Sequence, residues 1–217
     1  MVYALGNQTK LGGKATIDID VIKGDGDRKA IEVEDSAPDG GLYFGHGRAL
    51  VSGRRIKTDH VPKQMRALTD GPIPDYAKCY NFSYVSDRFR AVIESIEPGV
   101  HQFIPFQIVG ARKSVLVDMW FMVVCNRIDS VDREHTTLVL YRGRDWVPHQ
   151  DIPRSEWPAN FNPNREPKFV FNNAQIGTLQ LWYDIHSGYG PYLSDRLAEA
   201  LMAAELTGLV LVKQEAV

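Results

Sequence analysis

The chain lacks most of what would commit it to a chemistry. Cys79 and Cys125, in KCYNF and MVVCN, are its only cysteines and show no CxxC spacing. Two buried free thiols are expected, and a disulfide framework is not. Charge of one sign is missing too: 25 Lys and Arg stand against 27 Asp and Glu, so nothing calls for nucleic acid as a partner. No apolar run approaches the roughly 18 residues of a membrane span, and the opening MVYALGNQTKLGG has neither the basic nor the apolar region of a signal peptide. A soluble, cytoplasmic protein with no membrane contact is the expectation.

Catalytic and ligand motifs are equally scarce. The glycine-rich PDGGLYFGHGRALVSG (38–53) contains no GK[ST] and no complete GxGxxG, and turns between short strands account for it. HSGYG (186–190) lacks the glycine that a nucleophile elbow requires. His46, His60, His101, His135, His149 and His186 are scattered, with no HxxxH pair and no cysteine at ligand spacing, so no metal and no other cofactor is expected. The acids of TIDIDVIKGDGDRKAIEVE (16–34) do not follow an EF-hand spacing and suit the solvated faces of a β-hairpin turning near Asp25 and Gly26. Asp129 and Asp132 in CNRIDSVDREHT are candidate acid–base groups, although Asp and Ser after a strand commonly build turns.

What the chain does have is one phrase written twice. YVSDRFRAVIE begins at Tyr84 and YLSDRLAEALM at Tyr192, 108 residues later. Ser86 and Ser194 are placed to cap helices, with Asp87 and Asp195 in the first turn where the helix dipole favours negative charge. Val85, Phe89, Val92, Ile93 and Ile96 recur at helical spacing, and Leu193, Leu197, Ala200, Leu201 and Ala204 fall at the same offsets. Gly99 and Gly208 stop the two helices and an apolar stretch follows each, so the repeated unit (84–106 and 192–213) is capped helix, stop, strand, flanking a common sheet. Arg88 and Arg196 are not demanded by that pattern and suit solvent or a carboxylate partner.

Elsewhere, PKQMRAL (62–68) reads as a short helix, and DGPIPDY after it as a turn near a boundary between a β-rich region (1–61) and a main domain (62–217). VHQFIPFQI and VLVDMWFMVVCN are the strongest strands, the second suited to a sheet covered on both faces; TTLVLY (136–141) is expected to join them, with KFVFNN and TLQLWYDI beyond. The basic run Arg48, Arg54, Arg55, Lys57, Lys63 and Arg66 follows the acidic hairpin and presents either a solvated face or the footprint of an acidic partner. Residues 142–168 form a long loop rich in proline and carrying two tryptophans, a natural place for surface recognition. The fold class is α+β, strand-rich, with a central antiparallel or mixed sheet, two equivalent helix–strand units and an N-terminal β-hairpin region.

The order of these pieces, TDGPIPDY, then YVSDRFRAVIESIEPGVHQFIPF, then a strand entering CNRIDS, and last YLSDRLAEALMAAELTGLVLV with its Leu206-Thr207-Gly208 turn, resembles a family of bacterial immunity proteins from polymorphic toxin systems, the eleventh in the usual numbering. The resemblance covers roughly residues 62–213. It implies an α+β protein without catalytic residues whose partner is a toxin encoded nearby. LWYDIHSGYG, aromatic and glycine-rich, departs from the family pattern. If the protein is a binder, Trp146, Arg154 and Trp157 are the candidate anchors, weighed against a role for both rings in pinning the loop to the core. The alternative is an enzyme or effector domain with an anion site near the last helix, using Asp184, His186 and Arg196.

Overall fold

Ser86 and Ser194 both act as helix caps: their hydroxyls accept from Phe89 N–H at 3.3 Å and from Leu197 N–H at 3.2 Å. In the computed structural model, which describes all residues except 46, 113, 158–161 and 163, the capped helices are α1 (Asp87–Ile96) and α3 (Asp195–Ala203), with a single turn, α2 (Asn173–Ile176), between them in sequence. The first strands are β1 (Val2–Asn7), β2 (Lys10–Leu11), β3 (Lys14–Ala15), β4 (Ile19–Val21), β5 (Gln64–Ala67), β6 (Tyr76–Cys79), β7 (Phe82–Val85) and β8 (Gln102–Val109). The remaining strands are β9 (Val115–Val123), β10 (Arg127–Ile128), β11 (Val139–Tyr141), β12 (Asp145–Val147), β13 (Val170–Phe171), β14 (Leu181–Asp184), β15 (Tyr192–Ser194) and β16 (Leu209–Ala216). The protein is α+β and strand-rich, as its patterning predicts.

The strands following the two helices do not share a sheet, which corrects the expectation of one common sheet. β8 lies in a sheet ordered β4-β5-β8-β9-β7-β6, and β16 in another ordered β10-β14-β15-β1-β16-β13. The equivalence of the units is nevertheless deeper than the phrase suggests. Set β5-β8-β9-β7-β6 beside β13-β16-β1-β15-β14: in both, the first neighbours are parallel and all the others antiparallel. The register agrees as well. Trp120 lies between Val85 and Pro105, Tyr3 lies between Leu193 and Lys213, and each flanking pair is 108 residues apart. The chain is thus two copies of one strand–helix unit, the second completed by the N-terminal strand β1.

The helices are clasped between the sheets. Phe89 and Ile93 of α1 and Leu197, Ala198 and Leu201 of α3 form one buried cluster with Tyr76, Val85 and Met122 of the first sheet and Leu5, Leu181 and Leu193 of the second. Phe89 stacks on Tyr76 with ring centroids 5.4 Å apart. The outer faces are closed by the two segments that interrupt the repeat. Ile17, Ile31, Leu50 and Ile56 cover the first sheet, and Val131 and Trp146 pack with Phe171, Trp182 and Tyr192 on the second.

Three local expectations are overturned, each by the partner that the backbone finds. Residues 64–67 form β5 rather than a helix: Met65 and Ala67 face the core while Gln64 and Arg66 do not, and the strand bonds β4 on one side and β8 on the other. The 16–34 hairpin does not close on itself, because Ile19–Val21 pairs with β5 and Val33 bridges Ile56. TTLVLY does not join the main sheets; its last three residues make a separate hairpin with β12, and Thr136 meets Val170 through its side chain.

Because β1 and β16 are antiparallel neighbours with Val2 opposite Gln214, the ends of the chain lie close together. Joining them with a short Gly-Ser linker and opening the chain in the β8–β9 turn would cut the first unit as the second is already cut. The permuted chain is expected to fold with the native circular dichroism spectrum and a cooperative thermal transition. A molten or aggregated product would show that the two units are not equivalent in folding.

Candidate functional site

The residues that carry the sequence motifs are spent on holding the two units together. Asp75, just before β6, is buried, and its carboxylate accepts from Ser86 Oγ at 2.7 Å and from Thr207 N–H and Oγ1 at 2.9 Å each. Arg88 lies 3.5 Å from the same carboxylate and donates at 2.8 Å to the Ala204 carbonyl at the end of α3. Burial by itself would raise the Asp75 pKa, but the hydrogen bonds from Ser86 and Thr207, with the Arg88 charge, outweigh it and hold the carboxyl below its ordinary 3.8. Thr207 and Gly208 close against this junction. Gly208 sits at φ 86°, and a Cβ there would collide with the Tyr76 carbonyl and with Pro74.

A second junction answers the first at the other end of the helix pair. Glu97, the C-cap of α1, accepts from Gln180 N–H at 3.0 Å, and the Ser194 hydroxyl donates to the Gln180 side-chain oxygen at 2.5 Å. His101 accepts from Cys125 N–H through Nδ1, so its proton sits on Nε2 and is donated to Glu97 at 3.0 Å. α1 and α3 are therefore antiparallel, with each helix end tied to the start of the other.

The phrase CNRIDS is a hub of the same kind. Arg127 is almost wholly buried and donates to Asp39 at 2.6 Å and to the carbonyls of Ser52, Leu42 and Ile185 at 2.9–3.3 Å. The Asp39 carboxyl, against the desolvation of its position, is held well below the usual range by Arg127 and Arg54. The glycine-rich stretch wraps this side chain: a Cβ on Gly41 would come within 2.7 Å of the guanidinium, and one on Gly53, at φ 71°, within 2.7 Å of the Arg127 Cβ.

Asp184 and His186 are buried together but are not joined by Arg196. Asp184 accepts from Ser130 N–H and Oγ and from His186 N–H at 2.7–2.9 Å. Burial raises its pKa, opposed by those donors. His186 Nδ1 meets the Arg144 carbonyl at 3.0 Å and so carries the proton there, while its Nε2 lies 3.9 Å from Asp129. Arg196 is exposed on α3, beyond the opposite end of β14, about 10 Å along the strand at 3.3 Å per residue. Asp132 binds the N–H groups of Glu134 and His135, the turn role weighed for it above.

The three candidate anchors divide. Trp146 is 6% exposed in the core of the second sheet, with its backbone N–H bonded to the His186 carbonyl, while its indole N–H is buried without a hydrogen-bond partner among the described residues. Trp157 is half-buried and donates to the His149 carbonyl at 3.1 Å, so it ties the loop to itself. Arg154 is exposed, with its guanidinium 5.7 Å from the Trp157 ring. Within the basic run, Arg54 pairs with Asp39, Arg55 with Glu34 and Lys57 with Glu32, so about half of its charge meets the acids that precede it. His46 and five residues of the tryptophan loop, 158–161 and 163, lie outside the described residues.

One concave surface was not read from the sequence. A groove of about 1530 Å³ runs beside α1 over the part of the first sheet that the helix leaves uncovered. Its floor carries Phe103, Pro105 and Trp120, and its wall Asp87, Arg90 and Glu94. The Arg90 guanidinium lies 4.0 Å from the Trp120 ring, and the indole N–H donates to Asp87 at 2.6 Å. The signal was available in the repeat: Arg90 stands where the second phrase has Ala198.

Among comparisons with known proteins, a family model described as "Immunity protein family (Imm11)" matches residues 28–216, farther toward the N-terminus than the motifs alone reach. A search of curated proteins finds no match.

Asp75→Asn is expected to destabilise the fold by about 1–3 kcal/mol at neutral pH, because two hydrogen bonds of a buried carboxylate are lost. With the folded-state pKa depressed, the wild-type advantage is fully present above the ordinary value of 3.8 and disappears as pH falls through the lower folded-state value. Urea denaturation of both proteins across that range measures it; a constant difference at all pH values would mean that Asp75 is not ionised in the fold.

Proposed function

The chain belongs to the Imm11 immunity protein family, and from that premise we propose that it neutralises a toxin protein by binding it in a fixed ratio rather than by turning it over. The observation that carries this reading is the use made of the polar residues. Asp75, Glu97, Arg127, Asp184 and His186, the groups best suited to chemistry by burial, each bond to the chain's own backbone or caps. The surfaces left over carry Trp, Arg and Phe, the residue types that dominate binding energy at protein interfaces. The cytoplasm, where a toxin must be met before it acts, is the compartment this reading requires. Among the described residues, no helix is long and apolar enough to cross a membrane.

Among the described residues, surfaces of this kind include the segment around Arg154 and Trp157 and the groove beside α1. In the first, Arg154 and Trp157 offer contact from outside while Trp146 anchors the segment from within. The reading is tested by co-expression with the product of the neighbouring gene, which is expected to restore growth and to yield a complex that survives purification. Trp146→Ala should cost about 3–5 kcal/mol of stability as a core truncation, whereas Arg154→Ala should leave the denaturation midpoint in place and reveal only its share of binding. Protection by a large molar deficit of this protein, without a complex, would favour an enzyme.

A further inference from the structure

His186 stands where three segments meet: the end of β14, the CNRID turn after β10, and the β11–β12 hairpin, which belongs to neither main sheet. Two of the bonds that tie the hairpin to the second sheet end on this one residue. His186 Nδ1 donates to the Arg144 carbonyl at 3.0 Å, and the His186 carbonyl accepts from Trp146 N–H at 2.9 Å. On the other side of the ring, Nε2 lies 3.9 Å from the Asp129 carboxylate. The imidazole side chain is only 5% exposed, and Asp129 Oδ1 is buried with no hydrogen-bond partner among the described residues.

One proton decides how many of these contacts the ring can serve. A neutral imidazole has a single N–H, and two acceptors flank it, the Arg144 carbonyl and Asp129. With the proton on Nδ1, Nε2 turns a lone pair toward a carboxylate; with the proton on Nε2, the Arg144 carbonyl loses its donor. Only the imidazolium serves both, and its contacts are charge-assisted. The surrounding charges act in the same direction. Asp129 and Asp184 bring two carboxylates, and Arg133, which donates to Asp129 Oδ2 at 2.6 Å, brings one cation, so an imidazolium makes the set neutral. From the hairpin come Arg144, which is exposed, and Asp145 of opposite sign; Tyr192, beside Asp184, is kept un-ionised by burial.

We propose that His186 is a proton-operated latch on the segment that carries Arg154 and Trp157. Proton uptake from solvent at Nε2 draws the ring to Asp129 while Nδ1 keeps the Arg144 carbonyl, so the hairpin, and the chain that runs on from it to Trp157, is fastened to β14 and to the CNRID turn. Return of that proton to solvent leaves one of the two contacts unmade, and the hairpin loosens. The latch therefore closes as pH falls and opens as pH rises, the opposite sense to the Asp75 junction. The interval that matters is the one in which an imidazole changes charge, about pH 5 to 8. It lies above the range in which Asp75 and Asp39, both held below their ordinary 3.8, take up protons. The consequence for toxin binding rests on the binding reading above; the latch itself belongs to the free protein.

The test uses the full chain, free in solution. Long-range proton–nitrogen NMR spectra of the His186 ring show which of its nitrogens carries a proton, and amide hydrogen exchange shows how firmly the Trp146 N–H is held. At about pH 5 both ring nitrogens are expected to be protonated. As pH rises toward about 8, Nε2 should lose its proton and the protection of the Trp146 N–H, corrected for the intrinsic pH dependence of exchange, should fall about tenfold, the scale of one charge-assisted hydrogen bond. The Phe106 N–H, in the first sheet, should keep the same protection throughout. Asp129→Asn removes the carboxylate at nearly constant size and should leave Trp146 at its loosened level across the interval. An Nε2 that stays bare, or Trp146 protection that does not follow its proton, would overturn the latch on the wild-type protein alone. A pH dependence that persists in Asp129→Asn would overturn it as well and assign the effect to Asp184. No toxin is present, so neither result bears on the binding reading.

Discussion

Everything in this molecule hangs on the antiparallel contact between α1 and α3. Each helix is too short to be stable alone, and each buries one apolar stripe in a cluster to which both sheets contribute. The ends of the pair are fixed reciprocally, by Asp75 with Arg88 and Thr207 at one junction and by Glu97 with Gln180 and His101 at the other. Remove that clasp and two sheets would each face water with an uncovered apolar surface. The reciprocity is approximate in its chemistry: an aspartate and a threonine serve one end, a glutamate and a glutamine the other.

The clasp also explains why the repeated grammar of the chain is silent about activity. SDR, CNRID and LTG supply Ser86, Arg127 and Thr207, from which the junctions and the Arg127 hub are built, and those side chains are bonded in doing so. A surface with spare bonding capacity has to be sought where this grammar breaks off. Beside α1, the Arg90 guanidinium lies over the Trp120 ring at the groove. Family membership places the chain among immunity proteins.

The helices were legible because capping and periodicity act within a dozen residues. Ser86, Ser194 and the apolar offsets perform as their positions dictate, whereas α3 ends at Ala203, with Glu205 in the left-handed region at φ 49°, before Gly208 is reached. Strand partners were not legible, because pairing is decided by residues far away. PKQMRAL contains good helix formers, yet β4 and β8 both offer backbone partners to residues 64–67, and sheet bonding overrides propensity there. The repeat was visible, but its division between two sheets was not, since nothing local tells β8 from β16. Trp120 was read as part of a strand covered on both faces; only the short reach of α1 leaves its ring at a groove.

The central functional claim is neutralisation by stoichiometric contact. Its most direct measurement is a titration of this protein into a fixed amount of the neighbouring toxin, followed by native mass spectrometry. Free toxin should fall linearly and vanish at a small whole-number ratio, with the mass of the toxin chain unchanged after the complex is dissociated. Loss of free toxin at a small fraction of an equivalent, or a toxin chain of altered mass, would contradict the claim and identify the protein as a catalyst.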